Sequence, residues 1–366
     1  QSLAWSNDGG ETFSIYPGNP VLTLESEARD PNMFWNPETK TWTLVLAHAL
    51  DKEMLIFTSP DMKEWTLQSS FGKGLGAQDG VWECPDLFEL AVEGTGEKKW
   101  VLLCNLNPGG PFGGSATQYF VGDFDGKTFT PDLDADGNVP TKWLDYGKDH
   151  YATVSFSDAP AGRRTVIGWS NWQYAPEVPT TQFRSANTLP REMGLFRDTD
   201  GQLYVSSAPS PETEALRAAT VKSVSKATLG SKPRHYTIPE LCEITMNVDA
   251  AKADSVMIEL SNTQGEHVTM TYVPAKDELS FDRRESGITD FSQDFPAVTP
   301  AHSGGKPLGL RIFVDRSSIE VFGRDGRFAM TNLVFPNAPY TVMTVTAAGG
   351  KATLSDLRIY NINPEN

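Results

Sequence analysis

"ARDPNMFW" (residues 28–35) and "VWECPDLFEL" (residues 81–90) carry the same pattern, a charged residue, then x-Pro-x-apolar-Phe, at an offset from position 29 to position 83. Such recurrence reads as one structural position used twice. Each stretch is followed by an apolar run rich in β-formers, "TWTLVLAH" from Thr41 and "KWVLLCNL" from Lys99, and a third run, "RTVIGWSN", begins at Arg164. A polar turn also repeats, as "SNDGGETF" from Ser6, "SPDMKEWT" from Ser59 and "DFDGKTFT" from Asp123. Asp-Gly and Asp-Met-Lys between alternating apolar segments are hairpin signals. Four short strands per unit of about 50 residues, repeated, predict the blades of a β-propeller. "DHYATVSF", from Asp149, opens a third blade on this reading.

In a propeller the innermost strand of each blade borders an axial funnel. Asp30, Glu83 and Asp149 are therefore expected to face one cavity from three neighbouring blades. A single Asp before Pro can also simply open a turn, and it is the recurrence that favours function for Asp30 and Glu83.

The texture changes near residue 207. "APSPETEALRAAT" (208–220) reads as a short helical connector, with Ser210 and Pro211 at its start. From 221 to 366, "DSVMIELSN", "HVTMTYVP", "LRIFVDRSSIEVFG" and "TVMTVTAAG" alternate apolar and polar residues between turn formers, which predicts an antiparallel β-sandwich. The chain is thus expected to be all-β: a propeller catalytic domain over 1–207, a connector, and an accessory sandwich that is structural or faces carbohydrate.

Composition narrows the partners. Gly 31, Pro 25 and aromatic residues at 10% describe a turn-rich chain with many ring faces. Lys+Arg 31 against Asp+Glu 47 leaves a formal net charge of −16, which repels nucleic acid and anionic membrane surfaces and favours a neutral ligand. No apolar run of about 18 residues is present, so membrane insertion by a helix is not expected. Cys84, Cys104 and Cys242 cannot all pair within the chain and show no zinc spacing. His48, His150, His235, His267 and His302 are scattered, so no metal site and no cofactor are expected. GxSxG, HExxH, P-loop and GxGxxG patterns are absent, and the glycine-rich "NPGGPFGGSATQYF" from Asn107 reads as a rim loop. The start at Gln1, without initiator Met or signal peptide, reads as a processed, truncated or engineered end.

Two acids across a water-accessible funnel lined with aromatic rings suit recognition and cleavage of a glycosidic bond. Glu83 is the better general acid. Trp82 and Cys84, taken to line the substrate pocket, are expected to desolvate it and keep its proton available near neutrality. Asp30, beside Arg29, is expected to stay ionised. Asp149, Tyr151, Trp172 and Tyr174 are further expected sugar contacts, although a structural role for Asp149 in its turn fits nearly as well; Trp169 suits a blade core as well as a site. Asn105 and Asn107 follow the "VLLC" strand within reach of substrate, and Thr180 and Arg184 lie in a loop that would line outer subsites.

Taken in order, "ARDPNMFW", "WECPDLFEL", "DYGKDHYATVSF", "GWSNWQYAPEVPTTQFRSANTLPREM" and "VDRSSIEVFG" resemble the signatures of the invertases, inulinases and levanases of glycoside hydrolase family 32. The resemblance covers essentially the whole chain. It implies a five-bladed propeller followed by a β-sandwich, and retaining attack on the anomeric carbon of a β-linked fructosyl unit of levan, inulin or sucrose. It implies Glu83 as general acid/base, Asp30 binding fructosyl hydroxyls, Arg29 assisting and Trp172 as a sugar contact at the funnel rim, with no cofactor. It also implies a secreted, periplasmic or cell-surface location. The family's nucleophile is a different aspartate, in a Trp-Met-Asn-Asp-Pro-Asn-Gly motif that this chain lacks; Asn7-Asp8 belongs instead to the repeated hairpin turn. The first blade and part of the second are expected outside the chain, to be completed by an N-terminal fragment. This chain alone is then expected to be inactive; a non-catalytic fructan binder or truncated inactive relic, and a fructosyltransferase, are the alternatives.

Overall fold

The computed structural model describes residues 1–24, 27–305 and 307–363. It contains three four-stranded antiparallel blades in sequence. Blade I comprises Ala28–Asn36, Thr41–His48, Glu53–Ser59 and Thr66–Phe71. Blade II comprises Val81–Ala91, Lys98–Asn107, Ala116–Phe124 and Phe129–Pro131, with Lys142–Trp143 pairing on its third strand. Blade III comprises Tyr151–Ser155, Thr165–Trp169, Arg191–Arg197 and Leu203–Pro209. A two-stranded hairpin, Ala4–Trp5 with Ser14–Ile15, precedes them.

The repeated polar turn joins the third strand to the fourth. In blade I the Asp61 carboxylate accepts the N–H groups of Lys63 and Glu64, and in blade II Asp125 accepts those of Lys127 and Thr128. Both are Asx turns, which is why the sequence signal recurs. "SNDGGETF" joins the two strands of the N-terminal hairpin through a wider loop, in which Ser6 Oγ accepts the Asp8 and Gly10 N–H groups and Asp8 accepts that of Thr12.

Blades pack through apolar layers. Between blades I and II lie Val45, Met54, Ile56, Phe71, Trp82, Leu102 and Phe120. Between II and III lie Phe88, Val101, Leu103, Val166, Met193 and Val205. Trp82 is fully buried here, and its indole N–H donates to the Ala77 carbonyl at 3.0 Å. A Cβ at Gly72, where φ is +121°, would meet the Trp82 ring at 2.1 Å. Trp82 is therefore a core residue and not a substrate contact, because alternation along the strand turns it away from the side where Glu83 points.

All three inner strands break register at the same place. The shifts fall between Arg29 and Asn32, Glu83 and Asp86, and Tyr151 and Val154. Within each, one non-glycine residue has positive φ: Asp30 (59°), Cys84 (44°) and Ala152 (51°). These are β-bulges, which re-aim the side chain preceding them. They also correct the blade alignment: the position of Glu83 corresponds to Arg29 and Tyr151, whereas Asp30 corresponds to Cys84.

The connector is shorter than expected. Blade III ends at Pro209, a single 3-10 segment covers Pro211–Leu216, and Arg217–Leu229 is already a sandwich strand hydrogen-bonded to Lys351–Ile362. Residues 217–220 are extended because a neighbouring strand satisfies their backbone groups, which outweighs helix propensity. The sandwich has two six-stranded sheets. One orders Arg217–Leu229, Lys351–Ile362, Cys242–Lys252, Leu308–Val314, Ser318–Gly323 and Ala329–Leu333. The other orders Arg234–Thr237, Val342–Ala348, Ser255–Ser261, His267–Val273, Glu278–Asp282 and Val298–His302. Strict alternation, as in Ser255–Ser261, turns Val256, Ile258 and Leu260 into a core shared with Ile244, Ile312 and Leu354.

Candidate active site

The bulges bring together three side chains from three blades. Arg29 Nη1 donates to Glu83 Oε1 at 2.9 Å, and the Tyr151 hydroxyl donates to Glu83 Oε2. Arg29 also pairs with Glu27. Both carboxylate oxygens of Glu83 are thus held, while its side chain keeps 19% exposure, enough for a ligand to reach it. The guanidinium expected to serve Asp30 serves Glu83 instead, since the bulge turns Arg29 and Asp30 to different sides.

Asp30 Oδ2 accepts the Cys84 backbone N–H at 2.9 Å, and the Cys84 thiol also hydrogen-bonds to Asp30. Burial first, then the negative charges of Asp30 and Glu83, push the Cys84 thiol up to about 12. Cys84 is accordingly a neutral thiol that orients Asp30. Burial and the hydrogen bond to Glu83 push the Tyr151 phenol upward, so it remains a donor.

Beyond Tyr151 a line of rings leads outward: Tyr151 to Trp169 at 6.4 Å between centroids, and Trp169 to Trp172 at 5.5 Å, edge to face. Trp169 is half-buried, and Trp172 is 55% exposed. The line starts at the tyrosine bonded to Glu83, and its exposed faces can stack on sugar rings.

Two other expected contacts lie elsewhere. Asp149 is fully buried; its carboxylate accepts from Asn171, the Tyr174 hydroxyl, Arg283 and the Leu333 N–H. Tyr174 is fully buried against Phe295 and Leu333. Both belong to the junction with the sandwich, because the segment before Tyr151 runs along the strand Ala329–Leu333 instead of opening into the funnel.

Asn105 is also structural, and its side chain ties the bulges of blades II and III together. Its amide N–H groups donate to the carbonyls of Cys84 (3.0 Å) and Thr153 (3.2 Å), and its Oδ1 accepts from the Thr153 N–H (2.9 Å) and the Thr117 hydroxyl (2.5 Å). Asp86 plays a similar part, accepting the Ser155 N–H at 2.7 Å; burial pushes its carboxyl upward. Asp86 was not among the expected residues, although the repeat contained it: Pro85-Asp86 stands where Pro31-Asn32 stands in blade I. Asn107 pairs opposite Val81 at the end of its strand, and Thr180 and Arg184 close their own loop on Phe183 and Val178. Among the described residues no group of three or more His, Cys, Asp or Glu is placed to hold a metal ion, and no helix is long and apolar enough to cross a membrane.

Comparison with known proteins identifies the family and the fold. Residues 1–207 match the glycosyl hydrolases family 32 N-terminal domain, and residues 212–361 the family 32 C-terminal domain. The chain is 39% identical to a levanase of Bacillus subtilis, covering 98% of this chain and 54% of that protein. It is 36% identical to an extracellular exo-inulinase of Aspergillus awamori, covering 99% and 71%. The chain thus spans about half the length of that levanase. The crystal structure of the Aspergillus awamori exo-inulinase superposes with a TM-score of 0.90 at 34% identity, over 99% of this chain and 74% of that one. A β-fructofuranosidase from Schwanniomyces occidentalis, complexed with fructosyl-erythritol, superposes with a TM-score of 0.85 at 28% identity. With three bulged blades meeting on one carboxylate, a β-sandwich behind them, and matches over both domains, this chain belongs to glycoside hydrolase family 32.

Proposed function

We propose that the protein is a retaining, exo-acting glycoside hydrolase that releases fructose from levan, inulin or sucrose, with Glu83 as its general acid/base. The observation that carries this is the Glu83 carboxylate, gripped by Arg29 and Tyr151 from the two flanking blades and standing one residue from the Asp30–Cys84 contact. A carboxyl so fixed can be aimed at one oxygen of a bound ligand. In the proposed reaction a nucleophilic carboxylate attacks the anomeric carbon as the glycosidic C–O bond breaks. The Glu83 proton passes to the leaving oxygen. Glu83 then takes a proton from water, which displaces the carboxylate and frees fructose. Asp30 receives the fructosyl hydroxyls, Arg29 keeps the site polar and oriented, and Trp169 and Trp172 stack on the sugars leading away. The nucleophile is proposed to be an aspartate contributed by sequence N-terminal to this chain. An extracellular setting is part of the same proposal, as the relatives include extracellular exo-inulinases.

The test is fructose release from levan, inulin and sucrose, by this chain alone and by the chain joined to an N-terminal segment carrying the family's aspartate motif. Turnover by the joined protein that falls about 10²–10⁴-fold in Glu83→Gln is the expected result. Turnover by this chain alone would place the nucleophile within it. Binding of fructan without release in either form would favour a non-catalytic binding protein, and transfer to added sugar in place of water a fructosyltransferase.

A further inference from the structure

Tyr151 pairs with Trp169 just before the bulge at Ala152, and regular pairing within its blade resumes only at Val154 with Ile167. A second set of contacts holds Tyr151 from its N-terminal side. There the chain is tied to the sandwich strand Ala329–Leu333, with the Tyr146 N–H on the Ala329 carbonyl (2.7 Å) and the Asp149 N–H on the Thr331 carbonyl (3.0 Å). The Asp149 carboxylate, two residues from Tyr151, takes the Leu333 N–H at 2.7 Å and an ion pair from Arg283.

Arg283 is itself fully buried and bonded on every side. Its Nε donates to the Phe295 carbonyl (2.7 Å), its Nη1 to Asp149 and the Leu333 carbonyl (3.0 Å), and its Nη2 to the Tyr174 hydroxyl (2.7 Å), with the Phe295 ring 3.9 Å from the guanidinium. Removing one partner of such a pair strands a buried charge, so the contact is held in one geometry. We infer that Arg283, a residue of the sandwich domain, is a positioning residue for the candidate acid: through Asp149 it sets where the Tyr151 hydroxyl meets Glu83. The inference rests on the proposed role of Glu83. It assigns to the second domain a part in the geometry of the first.

The experiment labels the full chain with 3-fluorotyrosine and follows the 19F resonance of Tyr151, identified by its loss in Tyr151→Phe. Glu83→Gln gives the position of the signal when the carboxylate partner is changed. In Arg283→Met the signal is expected to move at least half of the way to that position, and in Arg283→Lys to return part of the way. Arg217→Met, which removes a guanidinium from Glu243 elsewhere in the sandwich, should leave it in place. Asp149→Asn, which keeps the side chain's size, supplies the same comparison should Arg283→Met fail to fold. A folded Arg283→Met or Asp149→Asn protein whose Tyr151 signal coincides with the unsubstituted one would overturn the inference. No turnover is needed for this readout, so failure of the fructan-hydrolase reading would leave its result legible.

Discussion

Trp82 and Trp172 show how one residue type serves two ends in a propeller. Trp82 fills the layer between blades I and II with no exposed surface, whereas Trp172 stands 55% exposed at the end of a line of rings from Glu83. Trp82→Ala should destabilise the protein by about 3–5 kcal/mol, seen as a lower urea midpoint. Trp172→Ala should leave that midpoint in place and weaken fructan binding about 3- to 10-fold, the worth of one ring stack, as measured by calorimetry with inulin. Equal effects on stability from both would refute this assignment. Cys84 yields a second expectation at this scale. A thiol pushed up to about 12 and bonded to Asp30 should resist iodoacetamide at pH 8 in the folded protein, and Cys104 and Cys242 are buried. All three thiols should react only after unfolding; mass spectrometry of native protein carrying one adduct at Cys84 would contradict it.

At the scale of the element, the inner strand with its bulge is the working unit. Three non-glycine residues accept positive φ, a conformation that costs roughly 1–2 kcal/mol each. The return is convergence: Arg29, Glu83 and Tyr151 meet although their strands diverge below. The bulges leave backbone groups without ladder partners, and Asn105 satisfies those of Cys84 and Thr153. Asn105→Ala would strand a buried N–H and two carbonyls, so a loss of about 3 kcal/mol or more is expected, with a matching fall in the urea midpoint. A loss under about 1 kcal/mol would mean that water replaces the amide. Much of this unit was legible in the sequence. The offset between "RDPN" and "ECPD" already aligns Arg29 with Glu83 and Asp30 with Cys84, but a strand read as strictly alternating hides the half-turn that a bulge adds.

At the scale of the whole molecule, two buried ion clusters join blade III to the sandwich: Asp149 with Arg283, and Asp145 with Arg191, which also holds Glu320. His150 lies between them, fully buried, its Nε2 in a 2.7 Å hydrogen bond with the Thr153 hydroxyl. Burial above all, and then the Arg191 charge, hold His150 down to about 3, against 6.5 when unfolded. Because the folded value is depressed, the stability it contributes is complete above pH 6.5. It is lost as pH falls from 6.5 toward 3, where the unfolded chain takes up a proton that the folded one refuses. The loss amounts to several kcal/mol at the acid end, since each pH unit of difference is worth about 1.4 kcal/mol. Asp145 adds a later step. Burial raises its carboxyl, but Arg191, His150 and Thr331 overcome that and hold it at about 2, so its contribution is lost between about pH 4 and 2. Urea midpoints should therefore decline from pH 6.5 downward, and His150→Asn should flatten the slope between 6.5 and 4. An equal slope in that variant would assign the acid sensitivity to other groups.

Local chemistry sufficed for whatever depends on near neighbours in the chain. The Asx turns, the alternation that makes the sandwich and the recurrence that makes the blades all follow from short stretches, because a turn or a pleat is decided within a few residues. The partners of those residues were another matter. That Arg29 serves Glu83 and not the adjacent Asp30, that Trp82 is core, and that Asp149 and Tyr174 face the sandwich depend on register shifts and on a domain contact. Arg283 lies 134 positions beyond the Asp149 it pairs with. Only the packed chain, where burial makes each of those polar groups find a partner, decides which one it finds.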